Sequence, residues 1–81
     1  MSEEFLPIQR QRLSDSLASR IVSMIQAGTL RSGERLPTIA EMARSFRVGA
    51  PTLRQALTKL EAMGLVDIRH GSGVYVTRRS A

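Results

Sequence analysis

Two short stretches with apolar residues at helical spacing are separated by only three residues, Arg47-Val48-Gly49, and this break constrains the fold more than any other feature. The first stretch carries Ile39, Met42, Ala43 and Phe46 on one face, and the second carries Leu53, Ala56, Leu57 and Leu60. Thr38 is placed to cap the first. Gly49 is placed to cap the second, with Pro51 in its opening turn, where a missing N–H leaves no bond unmade. Gly64 follows the last apolar position and reads as the residue that ends the helix. Helices joined by so short a turn cross at a steep angle and leave the second one protruding.

Upstream, Leu13, Leu17, Ile21, Met24 and Ile25 form another helical stripe, with Ser14 or Ser16 as its cap and Gly28 as its stop. Residues 1–12 have mixed charge, a proline at position 7 and no clear period, and read as a flexible N-terminal arm. Residues 29–37, with Gly33 and Pro37, read as a connector. After Gly64 the period changes. Leu65-Val66-Asp67-Ile68-Arg69 and Val74-Tyr75-Val76-Thr77 are β-branched runs joined by His70-Gly71-Ser72-Gly73, the signature of a hairpin with a four-residue loop. The order is helix, helix, tight turn, helix, hairpin. The predicted fold is mainly α with a small β-hairpin, a three-helix winged helix-turn-helix over residues 13–77. Its helix-turn-helix spans about 39–58 and its wing about 65–77; residues 78–81 read as the start of a linker.

Composition narrows what such a fold can do. A chain of 81 residues holds one core and buries only about 60% of its unfolded surface, leaving little room for a deep catalytic cleft. There is no cysteine, which removes disulfides, thiolate metal sites and thiol nucleophiles together, and which fits a reducing cytoplasm. His70 is the sole histidine, with no acid pair beside it, so neither a metal site nor a catalytic dyad can be assembled. Apolar stretches are too short to span a membrane. The acidic start Met1-Ser2-Glu3-Glu4 has no apolar run, so no secretory signal is expected. The helix at 13–25 has a serine-rich polar face, unlike a membrane-surface helix. With only three aromatics, read with the methionines as core, the chain lacks the exposed rings that single-stranded nucleic acid stacks upon. Gly71-Ser72-Gly73 precedes no helix and is not a nucleotide loop.

Twelve Lys+Arg against seven Asp+Glu give a net charge of +5. Between Arg44 and Arg79 stand seven basic residues and only Glu61 and Asp67 as acids, so the whole excess lies on the helix-turn-helix and hairpin. Such concentration is what a nucleic-acid surface requires. Opposite its apolar face, the helix after Gly49 carries Pro51, Arg54, Gln55 and Thr58, flanked by Thr52 and Lys59, with no acid until Glu61. A protruding helix of this kind fits the DNA major groove and reaches base edges with its N-terminal side chains. A protein-docking module would instead need a continuous apolar patch, which these residues do not supply.

Several spaced motifs share one resemblance: Gly28-Thr29-Leu30-Arg31-Ser32-Gly33, Leu36-Pro37-Thr38, Leu53-Arg54-Gln55-Ala56-Leu57, Leu60-Glu61-Ala62-Met63-Gly64-Leu65-Val66 and His70-Gly71-Ser72-Gly73-Val74-Tyr75-Val76. Together, over about residues 13–77, they resemble the GntR family of bacterial regulators, in particular its subgroup with all-helical ligand-sensing C-terminal domains. The resemblance implies a cytoplasmic transcription regulator, more often a repressor, that binds a palindromic operator in double-stranded DNA as a dimer. A small-molecule effector would bind a C-terminal domain beyond this chain; the bare head is expected to be monomeric or weakly associating. No cofactor is implied. Thr52, Arg54, His70 and Gly71 match DNA-contacting positions of the family. Two positions that usually hold contacting arginines are Ala40 and Ala50, so the family's common operator does not carry over. The expected DNA-binding set is Thr38, Pro51, Thr52, Arg54, Gln55, Thr58 and Lys59, with His70, Gly71 and Ser72 at the wing tip.

Overall fold

Leu53, Ala56, Leu57 and Leu60 recur at the spacing of one helical face, and each is almost wholly withdrawn from solvent in α3 (Ala50–Ala62). The computed structural model describes residues 5–77, with side chains from Arg12 onward. Around α3 it arranges α1 (Phe5–Gln26), α2 (Ile39–Phe46) and a hairpin of β1 (Val66–Arg69) and β2 (Gly73–Val76). Leu17, Ala18 and Ile21 of α1, Leu36, Met42 of α2, and Val66, Val74 and Val76 of the hairpin close one core on that face. Each large aliphatic side chain buried there contributes roughly 1.5–3 kcal/mol relative to exposure. The architecture is the expected one.

α1 differs from its expected form at its start. It begins at Phe5, eight residues before Leu13, so neither Ser14 nor Ser16 caps it, and residues 5–12 are helical where an arm was expected. Pro7 falls in the first turn, where its missing N–H has no intrahelical partner to lose. The remaining arm residues 1–4 and the expected linker 78–81 lie outside the described residues. The buried stripe is also turned by one position. Ser14 is fully buried, whereas Leu13 is 55% exposed, because the face that meets α3 runs Ser14, Leu17, Ala18, Ile21. Gly28 closes α1 as expected, with φ of +85° and the Thr29 N–H donating to the Met24 carbonyl at 2.9 Å.

Thr38 caps α2 as predicted and does so reciprocally. Its hydroxyl accepts from the Glu41 N–H at 3.1 Å, and its own N–H donates to the Glu41 carboxylate at 2.9 Å. α2 ends at Arg47 in the left-handed region (φ 58°, ψ 48°), which reverses the chain into α3. A non-glycine residue there carries about 1–2 kcal/mol of steric strain. Gly49 opens α3 and Gly64, with φ of +79°, follows its last turn.

β1 and β2 pair antiparallel, Val66 opposite Val76 and Arg69 opposite Gly73. Gly73 belongs to β2, so the loop is His70-Gly71-Ser72, one residue shorter than expected. The connector also does more than connect. The Gly33 N–H donates to the Val76 carbonyl, the Val76 N–H to the Glu34 carbonyl and the Leu36 N–H to the Val74 carbonyl, at 2.7–2.8 Å. Arg35 thereby pairs with Tyr75 in an isolated antiparallel bridge, and the connector lies along the edge of the hairpin. Tyr75 is half-buried on the outer face of this sheet, not in the core, with the Arg69 guanidinium 4.6 Å from its ring centre. Phe46 is half-buried against the core edge. Of the methionines in the described side chains, Met42 is buried and Met24 half-buried, while Met63, at the exposed end of α3, is 60% accessible.

Candidate nucleic-acid interface

α3 presents its polar residues on two flanks and a crest. At 100° per residue, Pro51 lies opposite the core face, Arg54 and Thr58 fall toward the wing, and Thr52 and Lys59 fall toward α1. Gly49 supplies no side chain to the helix N-terminus, so the positive end of the helix dipole is not blocked by a cap. Pro51 and Arg54 are exposed, and Thr52 and Gln55 are half-buried. The Thr58 hydroxyl donates to the Arg54 carbonyl at 2.9 Å, which keeps its side chain close to the helix surface.

The wing is held to the far end of α3 by polar ties. The Glu61 carboxylate accepts from the Ile68 N–H at 3.1 Å, and the Thr77 hydroxyl donates to the Gly64 carbonyl at 2.7 Å. The Leu65 N–H donates back to the Leu60 carbonyl at 3.0 Å. These contacts fold the hairpin so that its tip returns beside the wing-facing flank of α3. Arg54, Thr58 and Glu61 then line one cleft with Arg69, His70, Gly71 and Ser72. Glu61, the only acid on α3, has one oxygen committed to the Ile68 amide.

At the tip, His70, Gly71 and Ser72 are all exposed. Gly71 has φ of +78° with open space where a Cβ would project, so backbone conformation alone selects glycine there. The Ser72 hydroxyl lies 2.8 Å from the Tyr75 hydroxyl, hydrogen-bonded to it, and the Ser72 N–H donates to the Arg69 carbonyl at 3.0 Å. Gly73 has φ of +139°, and a Cβ there would come within 2.9 Å of the Arg35 Nε.

Of the residues expected from sequence, Arg54, Thr58, His70, Gly71 and Ser72 are thus brought together. Pro51 and Thr52 sit at the protruding end of α3. Thr38 stands at the N-terminus of α2, its hydroxyl engaged in the cap and Glu41 held below the usual carboxylate range, chiefly by the Thr38 N–H. Ala40 is exposed on the same helix. Lys59 is placed otherwise. Its ammonium donates to the buried Ser14 hydroxyl at 3.0 Å and pairs with the Asp15 carboxylate, both on α1. The period of α3 put Lys59 on a polar flank but could not show that α1 covers that flank. Sequence reasoning also did not place Arg35 beside the wing, where the connector's bridge to Tyr75 sets it. The spacing of Gly33 and Pro37 around it gave no strand signal.

Residues 13–76 match the profile described as bacterial regulatory proteins, gntR family. The chain belongs to the GntR family. Among its GntR-type relatives, an uncharacterised HTH-type transcriptional regulator of Mycobacterium tuberculosis is 39% identical over 75 residues, covering 93% of this chain and 31% of that protein. The HTH-type transcriptional repressor NanR of Klebsiella aerogenes is 37% identical over 75 residues, covering 93% of this chain and 29% of NanR. This chain therefore spans less than a third of the length of these relatives. Among solved structures, the DNA-binding domain of AraR in complex with operator ORX1 superimposes with a TM-score of 0.77 at 28% identity, over 80% of this chain and 78% of that one. A GntR family transcriptional regulator from Listeria monocytogenes gives 0.78 at 26% identity, over 82% and 58%. The chain is a GntR-family regulatory domain with the fold of the AraR DNA-binding domain. Among the described residues, no helix is long and apolar enough to cross a membrane.

Proposed function

We propose that this chain is the operator-reading head of a cytoplasmic transcription repressor, with α3 in the major groove and the wing tip on the adjacent backbone or minor groove. One observation carries the reading. Arg54 and the exposed His70-Gly71-Ser72 loop line one cleft, so a duplex entering along α3 meets the wing at once. In this docking Pro51 and Thr52 approach the groove floor, Arg54 and Gln55 reach base edges or phosphates, and Thr38 and Thr58 lie beside the backbone. The AraR domain with the same fold is held on operator DNA, which supports the same use here.

The relatives are about three times as long, and we assign their remaining length the roles of effector binding and dimerisation. A single head on one half-site buries only about 600–1,000 Å². Its affinity is then modest, near the roughly 10⁻⁴–10⁻⁶ M of non-specific binding. Linking two heads makes the second contact intramolecular and raises avidity by about 10²–10⁴. The test is selection of sequences from random duplexes by this chain fused to an unrelated dimeriser, with the unfused chain alongside. A palindrome should emerge, bound tightly by the fusion and weakly by a monomeric bare chain, with affinity falling steeply as salt rises. No enrichment of any sequence, or salt-independent binding, would refute the docking. A tight dimer of the bare chain in sedimentation would place dimerisation within these residues.

A further inference from the structure

Arg35 is exposed, and its side chain lies beside the wing. It forms an antiparallel bridge with Tyr75, and its Nε lies within 2.9 Å of where a Cβ on Gly73 would stand. Directly paired residues of antiparallel strands project to the same face, so Arg35 shares the outer face of the wing with Asp67, Arg69 and Tyr75. The two arginines of that face differ in one respect. Arg69 is pinned, its Nε 3.2 Å from the Asp67 carboxylate and its guanidinium over the Tyr75 ring. Arg35 enters neither of the two ion pairs formed among the described residues. Its charge acts on Glu41 without forming an ion pair, and both neighbouring acids have hydrogen bonds elsewhere. Glu34 accepts from the Arg31 N–H at 2.8 Å, and Glu41 is occupied by the α2 cap. Arg35 also borders the groove that runs to Thr38 and Arg44 at α2. It therefore bridges the wing and the N-terminus of α2, two parts of the domain that flank α3.

We infer that Arg35 is a phosphate-binding residue, its guanidinium clamping the DNA backbone beside the wing tip. The inference rests on the docking proposed above. A planar, bidentate donor outside any ion pair among the described residues suits a phosphate. It reads no base, so it adds affinity evenly over sequences. The site has no counterpart in the motifs on α3 or in the wing loop.

The test compares Arg35→Ala, Arg35→Lys and wild type by fluorescence anisotropy, on a short mixed-sequence duplex and on the duplex enriched by selection, over a series of salt concentrations. Arg35→Ala should bind on the order of tenfold more weakly on both duplexes. Its log K against log salt slope should fall by about one phosphate contact. Arg35→Lys should recover the slope but only part of the affinity, because an ammonium is a point charge. Thermal unfolding of Arg35→Ala should match wild type, since the side chain is exposed. Wild-type affinity and slope in Arg35→Ala, or a loss confined to the selected duplex, overturns the inference. Failure of wild type itself to bind either duplex overturns the docking reading instead.

Discussion

Lys59 offers a sharp test, because a phosphate contact and an internal brace predict opposite results. In Lys59→Met the apolar stem stays and only the ammonium is removed. The ion pair with Asp15 is partly in water, with side-chain exposures of 33% and 66%, so it contributes about 0.2–1 kcal/mol. The bond to Ser14 is worth more, because that hydroxyl is fully buried and a charged donor to it typically contributes about 1.5–3 kcal/mol. Ser14 keeps a further interaction of its own, so only part of that is lost. The expected cost is about 1–2 kcal/mol. For a domain of this size about 1 kcal/mol moves Tm by roughly 4–8 °C, so Lys59→Met should melt roughly 5–15 °C lower by circular dichroism. Duplex affinity and its salt slope, measured well below Tm, should stay at wild-type values. Asp15→Asn should lower Tm less, and the double variant should show coupling of about 0.5 kcal/mol or more. An unchanged Tm with a salt slope reduced by about one would refute the brace and restore Lys59 to the DNA surface.

Arg54→Ala should weaken binding by about 1–3 kcal/mol in an anisotropy titration and relax the preference at a single base pair; wild-type binding would mean that α3 does not dock by its wing-facing flank. Ala50→Arg, at the first position of α3, should shift the selected sequence toward that of family members with arginine there, and an unchanged selection would count against major-groove entry by this end. Glu41 has its pKa lowered in the folded chain, so it stabilises folding above its unfolded pKa and loses that contribution as pH falls through its folded value. Glu41→Gln should therefore lower stability in the neutral region and flatten the acid limb of a stability-against-pH curve below about 4.5, so that the two curves converge at low pH; a drop of equal size at every pH would show that the cap does not depend on the charge.

Where one element alone decided a feature, the sequence was enough. The apolar face of α3, the Thr38 cap, the Gly28 and Gly64 stops and the short turn are local, and each stands where the pattern put it. What escaped depended on a distant partner. Ser14 looked like a cap and Leu13 like core, because the side of α1 that meets α3 is set by packing across the core. Tyr75 looked buried, but the bridge to Arg35 and the stacked Arg69 give it a place on the outer face of the sheet. Within the site the same division holds. Arg54 and the tip residues were legible from helical period and loop chemistry. The surroundings of Lys59 and Arg35 were not legible in this way, because residues 44 positions away at Asp15, and 38 and 40 positions away at Gly73 and Tyr75, determine what each touches.

The bond from the Glu61 carboxylate to the Ile68 amide links the last turn of α3 to the first strand of the wing, and Thr77 ties the other strand to Gly64. Two struts from opposite strands to one helix end leave the hairpin little freedom to swing. The distance from the tip of α3 to the wing loop then behaves as the fixed jaw of a gauge. A duplex is measured against it by the width of its grooves as well as by its bases, and a sequence that must be bent or compressed to fit is disfavoured at positions no side chain touches. Cutting one strut, as in Glu61→Ala, is expected to let the jaw open, and base preference under the wing should broaden in a selection even where overall affinity for DNA is retained.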